Sequence, residues 1–595
     1  MKRILFPCLL TLIIACQNQA PQEEETSTNI SANNFENYNS LFVEGLWKLN
    51  PIWASYEGYY LYDYMLPIPN EANKKEHLAF AERQLKKLQA FDLEQLSDEE
   101  KIDYYLIRDY LQSQDFFLNQ FKEEEWNPAS YNLGGAFFQV LNYREKDLNK
   151  RLEALSKKLE KVPAYYQQAQ KNINQPTQVH TKLAIQQLKG STSIFDENLI
   201  DSLEKSSQNE VFKADFTAKV MEAVKAIKGY VSFLENLQPS LTEETARCFR
   251  IGKEQFEKKF DYQIQSGYSA QEIFEAAVEE KSELHDQMFR LSDMLWEKYF
   301  GTTEKPGSRF AQIQKVIDAV SKKHVHRDSF ITAIRQQIPE LEAFVRENDL
   351  LTLDPEKPLV VRETPKYMRG FAGASISAPG PYDKNAETYY NVTPLDHYTE
   401  EEAESYLREY NHFVLQILNI HEAIPGHYTQ LVYSNQSPSL IKSILGNGAM
   451  VEGWAVYTER MMLEAGYGGE ALEMGLMYYK WNLRTVCNTI LDYGIHVNNF
   501  TEEDAMQLLM KEAFQEKSEA VGKWRRARLS QVQLCSYFTG FYEIMQLRDE
   551  LKLKMGDNFD LKKFHEKFLS YGSAPVKYIR KLMLEELKQA EPKPS

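Results

Sequence analysis

Residues 399–427 read TEEEAESYLREYNHFVLQILNIHEAIPGH. Thr399 with Glu402 three residues on is a capping box, in which hydroxyl and carboxylate satisfy each other's exposed backbone donors, so it marks a helix start. Phe413, Val414, Ile417, Leu418 and Ile424 then fall on one helical face. His421 joins that face, three residues after Leu418 and four after Ile417. The stretch predicts a helix that buries a histidine. It runs into His421-Glu422-Ala423-Ile424-Pro425-Gly426-His427, close to the zinc motif H-E-x-x-H but two residues longer.

The ordinary motif works because histidines at i and i+4 project from one face, with the glutamate placed to activate a water on the metal. Here the histidines are six residues apart, which on a straight helix turns the second one about 240° away from the first. Pro425 and Gly426 lie between them. Proline removes a backbone donor and glycine admits unusual torsions, so a bulge, kink or end there would return His427 to the side of His421. On spacing alone a shared metal competes with two core or capping histidines.

A second stretch, Val451-Glu452-Gly453-Trp454-Ala455-Val456-Tyr457-Thr458-Glu459-Arg460, also reads as helix. The helical neighbours of Glu452 are Gly448, Ala449, Ala455 and Val456. A carboxylate on so apolar a face is costly unless it is paired or bound to a metal, and the small residues let another helix approach. A glutamate on a second helix, 25 residues after the second histidine, is the gluzincin arrangement. His421, His427 and Glu452 are therefore the candidate ligands of one zinc ion per chain, and Glu422 the candidate general base. Glu459, two turns beyond Glu452, is placed to orient a histidine ligand. The rival roles are an ion pair for Glu452 and a surface charge for Glu459.

Outward from these motifs the chain is dominated by helical periodicity, with helices predicted near 145–171, 211–237, 242–265, 270–299 and 329–347, and a second capping box at Ser97–Glu100. Residues 357–395 break the pattern. They carry Pro358, Pro365, Pro379, Pro381 and Pro394, with short β-like runs at Leu359–Val361, Ala374–Ser377 and Thr388–Val392. The expectation is a mainly α fold: a large helical zincin-like body with a small β or extended element before the motif helix. That element is either the edge strand that binds substrate backbone beside the metal or a plain structural hairpin. With no repeat or linker after residue 35, residues 36–595 read as one catalytic domain, a helical half at 36–350 and a metal-site half at 351–595.

The N-terminus reads as targeting sequence. Lys2 and Arg3 precede an apolar run, Ile4–Ile14, too short to span a bilayer, followed by Ile13-Ile14-Ala15-Cys16, which resembles a lipobox whose cysteine is lipidated. Residues 1–16 are thus a lipoprotein signal and residues 17–35 a polar tether. Gln17 after the cysteine points away from inner-membrane retention and toward the outer membrane of a bacterial envelope, on its periplasmic or surface face. The formal charge of −17 excludes a nucleic-acid partner that would need a basic surface. Of five cysteines, only Cys248, Cys487 and Cys535 remain once Cys8 and Cys16 are set aside. They are too scattered for a disulfide framework or thiolate site and read as small buried hydrophobes.

The segments HEAIPGH and EGWAVYTE resemble the bacterial domain-of-unknown-function 885 family, whose members are often lipoproteins. The resemblance covers most of the mature chain. It implies a gluzincin-type, mainly helical metallopeptidase similar to helical carboxypeptidases and oligopeptidases, with the ligands His421, His427 and Glu452 and the base Glu422. Asp492-Tyr493-Gly494-Ile495-His496 is similar to a family feature, and Tyr493 and His496 are candidates to stabilise an oxyanion. Arg484, Arg526, Arg528 and Tyr537 are candidate substrate contacts, the arginines as forks for a carboxylate. Relatives show Pro-Gly-Gln-Ala before this tyrosine. Here Gln531 and Val532 take the first two places and only Gln533 survives. The expected activity is zinc-dependent hydrolysis of short peptides. The alternatives are hydrolysis of non-peptide or cell-wall amides, and a non-catalytic peptide- or partner-binding lipoprotein.

Overall fold

The computed structural model describes residues 35–590 apart from 144–145, 355–358, 365–372, 379, 383–386 and 438. The signal, nearly all of the tether and the lipobox Cys16 lie outside these residues. The fold is mainly α-helical, with a single small three-stranded sheet among the described residues.

The three β-like runs form that sheet: β1 (Leu359–Glu363), β2 (Ala374–Ser377) and β3 (Thr388–Val392), in the order β1-β3-β2. β3 pairs parallel with β1, Leu359 opposite Thr388, and antiparallel with β2, Ala374 opposite Val392. β2 is therefore an edge. The second half of β3 is wholly buried, and within it the Tyr390 hydroxyl donates to Asn419 Oδ1 at 2.8 Å. This bond ties the sheet to the motif helix two residues before His421.

Three helical predictions hold closely, at Glu210–Leu237, Ala270–Phe300 and Phe330–Glu347, and the Ser97–Glu100 capping box is formed. Three differ. The run from Thr399 is two helices, Glu400–Glu409 and His412–Glu422, because Asn411 is a buried cap whose Oδ1 accepts the amides of Phe413 and Val414. Residues 145–171 divide into Leu148–Leu159 and Val162–Asn172, with Pro163 opening the second helix, where its missing N–H costs nothing. Helix begins at Gly252 rather than 242, and Cys248 in the preceding segment is exposed, unlike the buried Cys487 and Cys535.

The apolar core is in two main bodies. One runs from Phe35 through Leu111 and resumes from Phe256 to Met583; the other gathers Leu66 and residues between Tyr131 and Leu234. The helices that carry His421, His427 and Glu452 belong to the first. Among the described residues no helix is long and apolar enough to cross a membrane.

The helix Gly448–Glu464, which carries Glu452, packs against Ser536–Met555 at closer than ordinary range. A Cβ on Gly453 would lie 2.4 Å from Gly540 Cα, and one on Gly540 would lie 1.8 Å from the Ala449 carbonyl oxygen. Backbone meets backbone here, so neither position tolerates a side chain. Gly540→Ala should destabilise the fold by about 1–3 kcal/mol or more through forced separation of the helices, read as a lower unfolding midpoint. Gly229→Ala, at a helical site with nothing within 4 Å of the added Cβ, should instead be neutral or stabilise by up to about 1 kcal/mol.

Candidate metal centre

The motif helix His412–Glu422 buries Phe413, Val414, Ile417, Leu418 and His421 on one face. It ends at Glu422. Ala423 leaves helical geometry at φ −112°, ψ −89°, and the next helix, His427–Gln436, starts at the second histidine. The phase error of the six-residue spacing is thus removed by an outright end to the helix. Gly426 closes the turn: its N–H donates to the Ile420 carbonyl at 3.0 Å. A Cβ there would lie 1.9 Å from the His421 carbonyl oxygen, so only glycine fits. The Trp454 indole donates to the Pro425 carbonyl at 2.9 Å, fastening the turn to the helix that bears Glu452.

The three candidate ligands converge. Glu452 Oε2 is 3.8 Å from His421 Nε2 and 3.4 Å from His427 Nε2. One ligand atom of each residue lies within 4.8 Å of the other two. The imidazole rings are 4.7 Å apart and nearly perpendicular, at 87°. Ligands at about 2.0–2.2 Å from a tetrahedral zinc sit roughly 3.4 Å from one another, so the donor set fits zinc with slight contraction. Two imidazoles and one carboxylate leave a fourth position open, as in catalytic rather than structural zinc sites.

Glu459 behaves as its spacing implied. Wholly buried, its Oε1 meets His421 Nδ1 at 2.7 Å and accepts the Trp481 indole N–H at 3.0 Å. The bond fixes the tautomer that turns His421 Nε2 toward the other ligands. Burial alone would lower the His421 pKa, but the nearby Glu452 carboxylate and the bond to Glu459 push it up to about 10. Burial raises the pKa of Glu422 above the usual carboxylate range, opposed by His427 and His421 beside it. It is thereby moved in the direction a general base requires.

The remaining sequence-predicted residues divide. Tyr537 belongs to this site. It lies one helical turn before Gly540, as Glu452 lies next to Gly453, and burial together with the nearby Glu452 charge raises its hydroxyl pKa, so it keeps its proton. Arg526 and Gln533 lie near enough to oppose that rise, and Arg526 Nη2 donates to Gln533 Oε1 at 2.7 Å. Tyr493 and His496 are not brought to the cluster. Tyr493 packs on Phe256 and Phe274. His496 Nε2 is occupied by the Ala527 and Ser530 carbonyls at 2.9 and 3.1 Å. Arg484 bonds Glu409 and Glu519, and Arg528 stacks on Trp524. Sequence reasoning missed Trp481, Asn419 and Tyr390. Tyr390 lay in a run already read as strand, whereas Trp481 carries no local signal.

The class is a mainly helical body in which two histidines and one glutamate, partly buried, meet at a break between helices. The chain belongs to the family described as bacterial protein of unknown function, DUF885, whose model matches residues 51–583. A solved candidate lipoprotein of unknown function from Shewanella oneidensis is similar, with 54% identity, 92% of this chain and 99% of that one covered, and a TM-score of 0.88. A candidate lipoprotein from Colwellia psychrerythraea shares the fold at 18% identity, over 93% of this chain and 99% of that one, with a TM-score of 0.76. No curated protein matches the chain.

Glu459→Gln keeps an acceptor for His421 but removes the buried charge. It should weaken zinc affinity about 10–100-fold, measured by competition with a chromogenic chelator. Unchanged affinity would show that Glu459 does not support the ligand.

Proposed function

We propose that this chain is a zinc-dependent peptidase of the gluzincin type that hydrolyses short peptides while held to the bacterial envelope by a lipid on Cys16. The observation that carries the reading is the convergence of His421, His427 and Glu452, with the partly buried Glu422 beside them. Lipid anchorage is supported by the lipobox and by the candidate-lipoprotein descriptions of the two similar structures. Placement in the outer membrane rests on Gln17 alone.

His421, His427 and Glu452 would hold one zinc ion, which supplies a Lewis acid for the scissile carbonyl and lowers the pKa of a water. Glu422 takes a proton from that water as its oxygen attacks the carbonyl carbon, then delivers the proton to the departing amine nitrogen as the C–N bond breaks. The Tyr537 hydroxyl, kept protonated beside Glu452, donates to the oxygen that gains negative charge. β2 is an edge strand in contact with the motif helix, so an extended substrate pairs along it and presents its carbonyl to the site.

Glu422→Gln preserves size while removing the proton acceptor. The variant should bind zinc as the parent does yet lose hydrolysis of a peptide library by about 10²–10⁴-fold, whereas His421→Ala should lose metal and activity together. The library is digested with and without chelator. Chelator-insensitive cleavage, or a fully active Glu422→Gln variant, would overturn the mechanism. Cleavage confined to non-peptide amides would shift the substrate class.

A further inference from the structure

A cavity of about 360 Å³ opens where helices of the N-terminal half meet the segment Ile444–Asn447. Trp53, Tyr110, Phe117 and Tyr262 give it aromatic walls, and no residue that lines it is charged. The cavities at Lys74 and Glu124, at Glu342 and Arg346, and at Asp560 and Lys563 all carry both acids and bases in their linings. A neutral lining is therefore not the general character of this surface, in a chain with 26% charged residues. The volume falls near the low end of small-ligand sites, about 300–1,000 Å³, which suits one large side chain.

Two sets of contacts place the cavity on the path of a substrate. Asn447 in its lining caps the helix Gly448–Glu464: its Oδ1 accepts the Met450 amide at 2.8 Å, and its Nδ2 donates to the Ile264 carbonyl at 2.9 Å. Cavity and third candidate ligand thus share one helix. The rise from Asn447 to Glu452 is about 7.5 Å along the axis, roughly two extended residues at about 3.3–3.6 Å each. From the other direction, aromatic rings run from the cavity to the segment after β2. Tyr110 meets Trp53 at 6.2 Å, Trp53 meets Trp47 at 5.3 Å, and the Trp47 indole donates to the Tyr382 hydroxyl at 2.7 Å.

On the peptidase reading, and resting on it, we propose that this cavity is a specificity pocket that takes one bulky uncharged side chain, aromatic before aliphatic, from a residue within two positions of the cleaved bond. The four aromatic walls offer edge and face contacts to an entering ring. A charged side chain entering there would lose its water and meet no counter-ion in the lining, so it is rejected rather than merely bound less well. Glu57 accepts the Trp53 indole at 2.9 Å from outside the lining. The polar groups inside are mostly engaged, the Ser113 hydroxyl by the Tyr110 carbonyl at 2.8 Å and the Gln265 amide by the Tyr262 carbonyl at 3.3 Å. Gln263 differs. It is exposed at the rim, and its side chain makes no hydrogen bond among the described residues. A charge can be placed there without breaking a contact.

The test uses the zinc-loaded protein and peptides that differ at one residue, Tyr, Leu, Lys or Glu, set in turn at each of the two positions on either side of a bond the parent cleaves. At one of these positions the parent should favour Tyr over both Lys and Glu by at least about 10-fold in kcat/KM, with Leu between. Gln263→Glu should raise the Lys-to-Tyr ratio at that position roughly 3- to 5-fold, the strength of an exposed ion pair, and Gln263→Lys should raise the Glu-to-Tyr ratio instead. Indifference to charge at all four positions overturns the proposal and leaves the peptidase reading intact. So does a Tyr preference that neither variant changes, because the selecting pocket then lies elsewhere. Cleavage of no peptide at all defeats the peptidase reading and this one with it.

Discussion

The hydrogen bond between His421 and Glu459 constrains the centre more than any other contact. Glu459 is inaccessible to water, and of the groups that touch it only His421 can carry the compensating charge; the Trp481 indole adds one neutral donor. An unpaired buried carboxylate would cost several kcal/mol. The helix Gly448–Glu464 must therefore lie against His412–Glu422 at one register. In that register Glu452, two turns earlier on the same face, is carried to the ligand point. The Gly453–Gly540 contact then lets the Ser536–Met555 helix close over the other side and bring Tyr537 in. Ligand, orienting group and tyrosine are positioned by one buried pair and one close helix crossing.

The break at 423–426 is the complementary constraint. A helix continuing through Glu422 would carry His427 to the wrong side, and a loose loop would leave it unplaced. The turn that forms is short and doubly fastened, by Gly426 to Ile420 on its own helix and by Trp454 to Pro425 from the helix of Glu452. The residue that donates to the turn thus sits two positions from Glu452, so the turn and the third candidate ligand are held by the same helix.

Much of this was legible because it is local. Capping boxes, the 3.6 period of Phe413 to His421, the Pro-Gly break and the small-residue face around Glu452 all announce themselves within a few residues, and the three strands show as short β-like runs set between prolines and glycines. What was not legible depended on distant partners. Asn411 is an ordinary polar residue until its burial makes it a cap that divides a helix. Trp481 orients Glu459 from 22 positions away. The family resemblance pointed at Tyr493 and His496, but no local pattern tells which way a helical side chain faces when the helix is buried on nearly every side, as Leu472–His496 is.

That helix shows why polar residues near a site are poor evidence of chemistry. Lys480, Arg484, Asn488, Asp492 and His496 recur every four residues, a single stripe on one face. Each is committed to another element. Lys480 bonds Glu409, Arg484 bonds Glu519, Asn488 accepts from Lys523, Asp492 accepts the Leu534 amide, and His496 meets the carbonyls of Ala527 and Ser530. Four of the five contacts end on the Lys517–Leu529 helix or the segment that follows it. The stripe holds in place the segment that presents Arg526, Gln533 and Tyr537. Asp492, buried and raised to about 7 by that burial against the help of the Leu534 amide, braces the turn where Val532 adopts a left-handed φ of 62°. Glycine is the residue that takes this conformation without strain. Here the strain is carried by a β-branched side chain, and the clamp from Asp492 holds the turn in register.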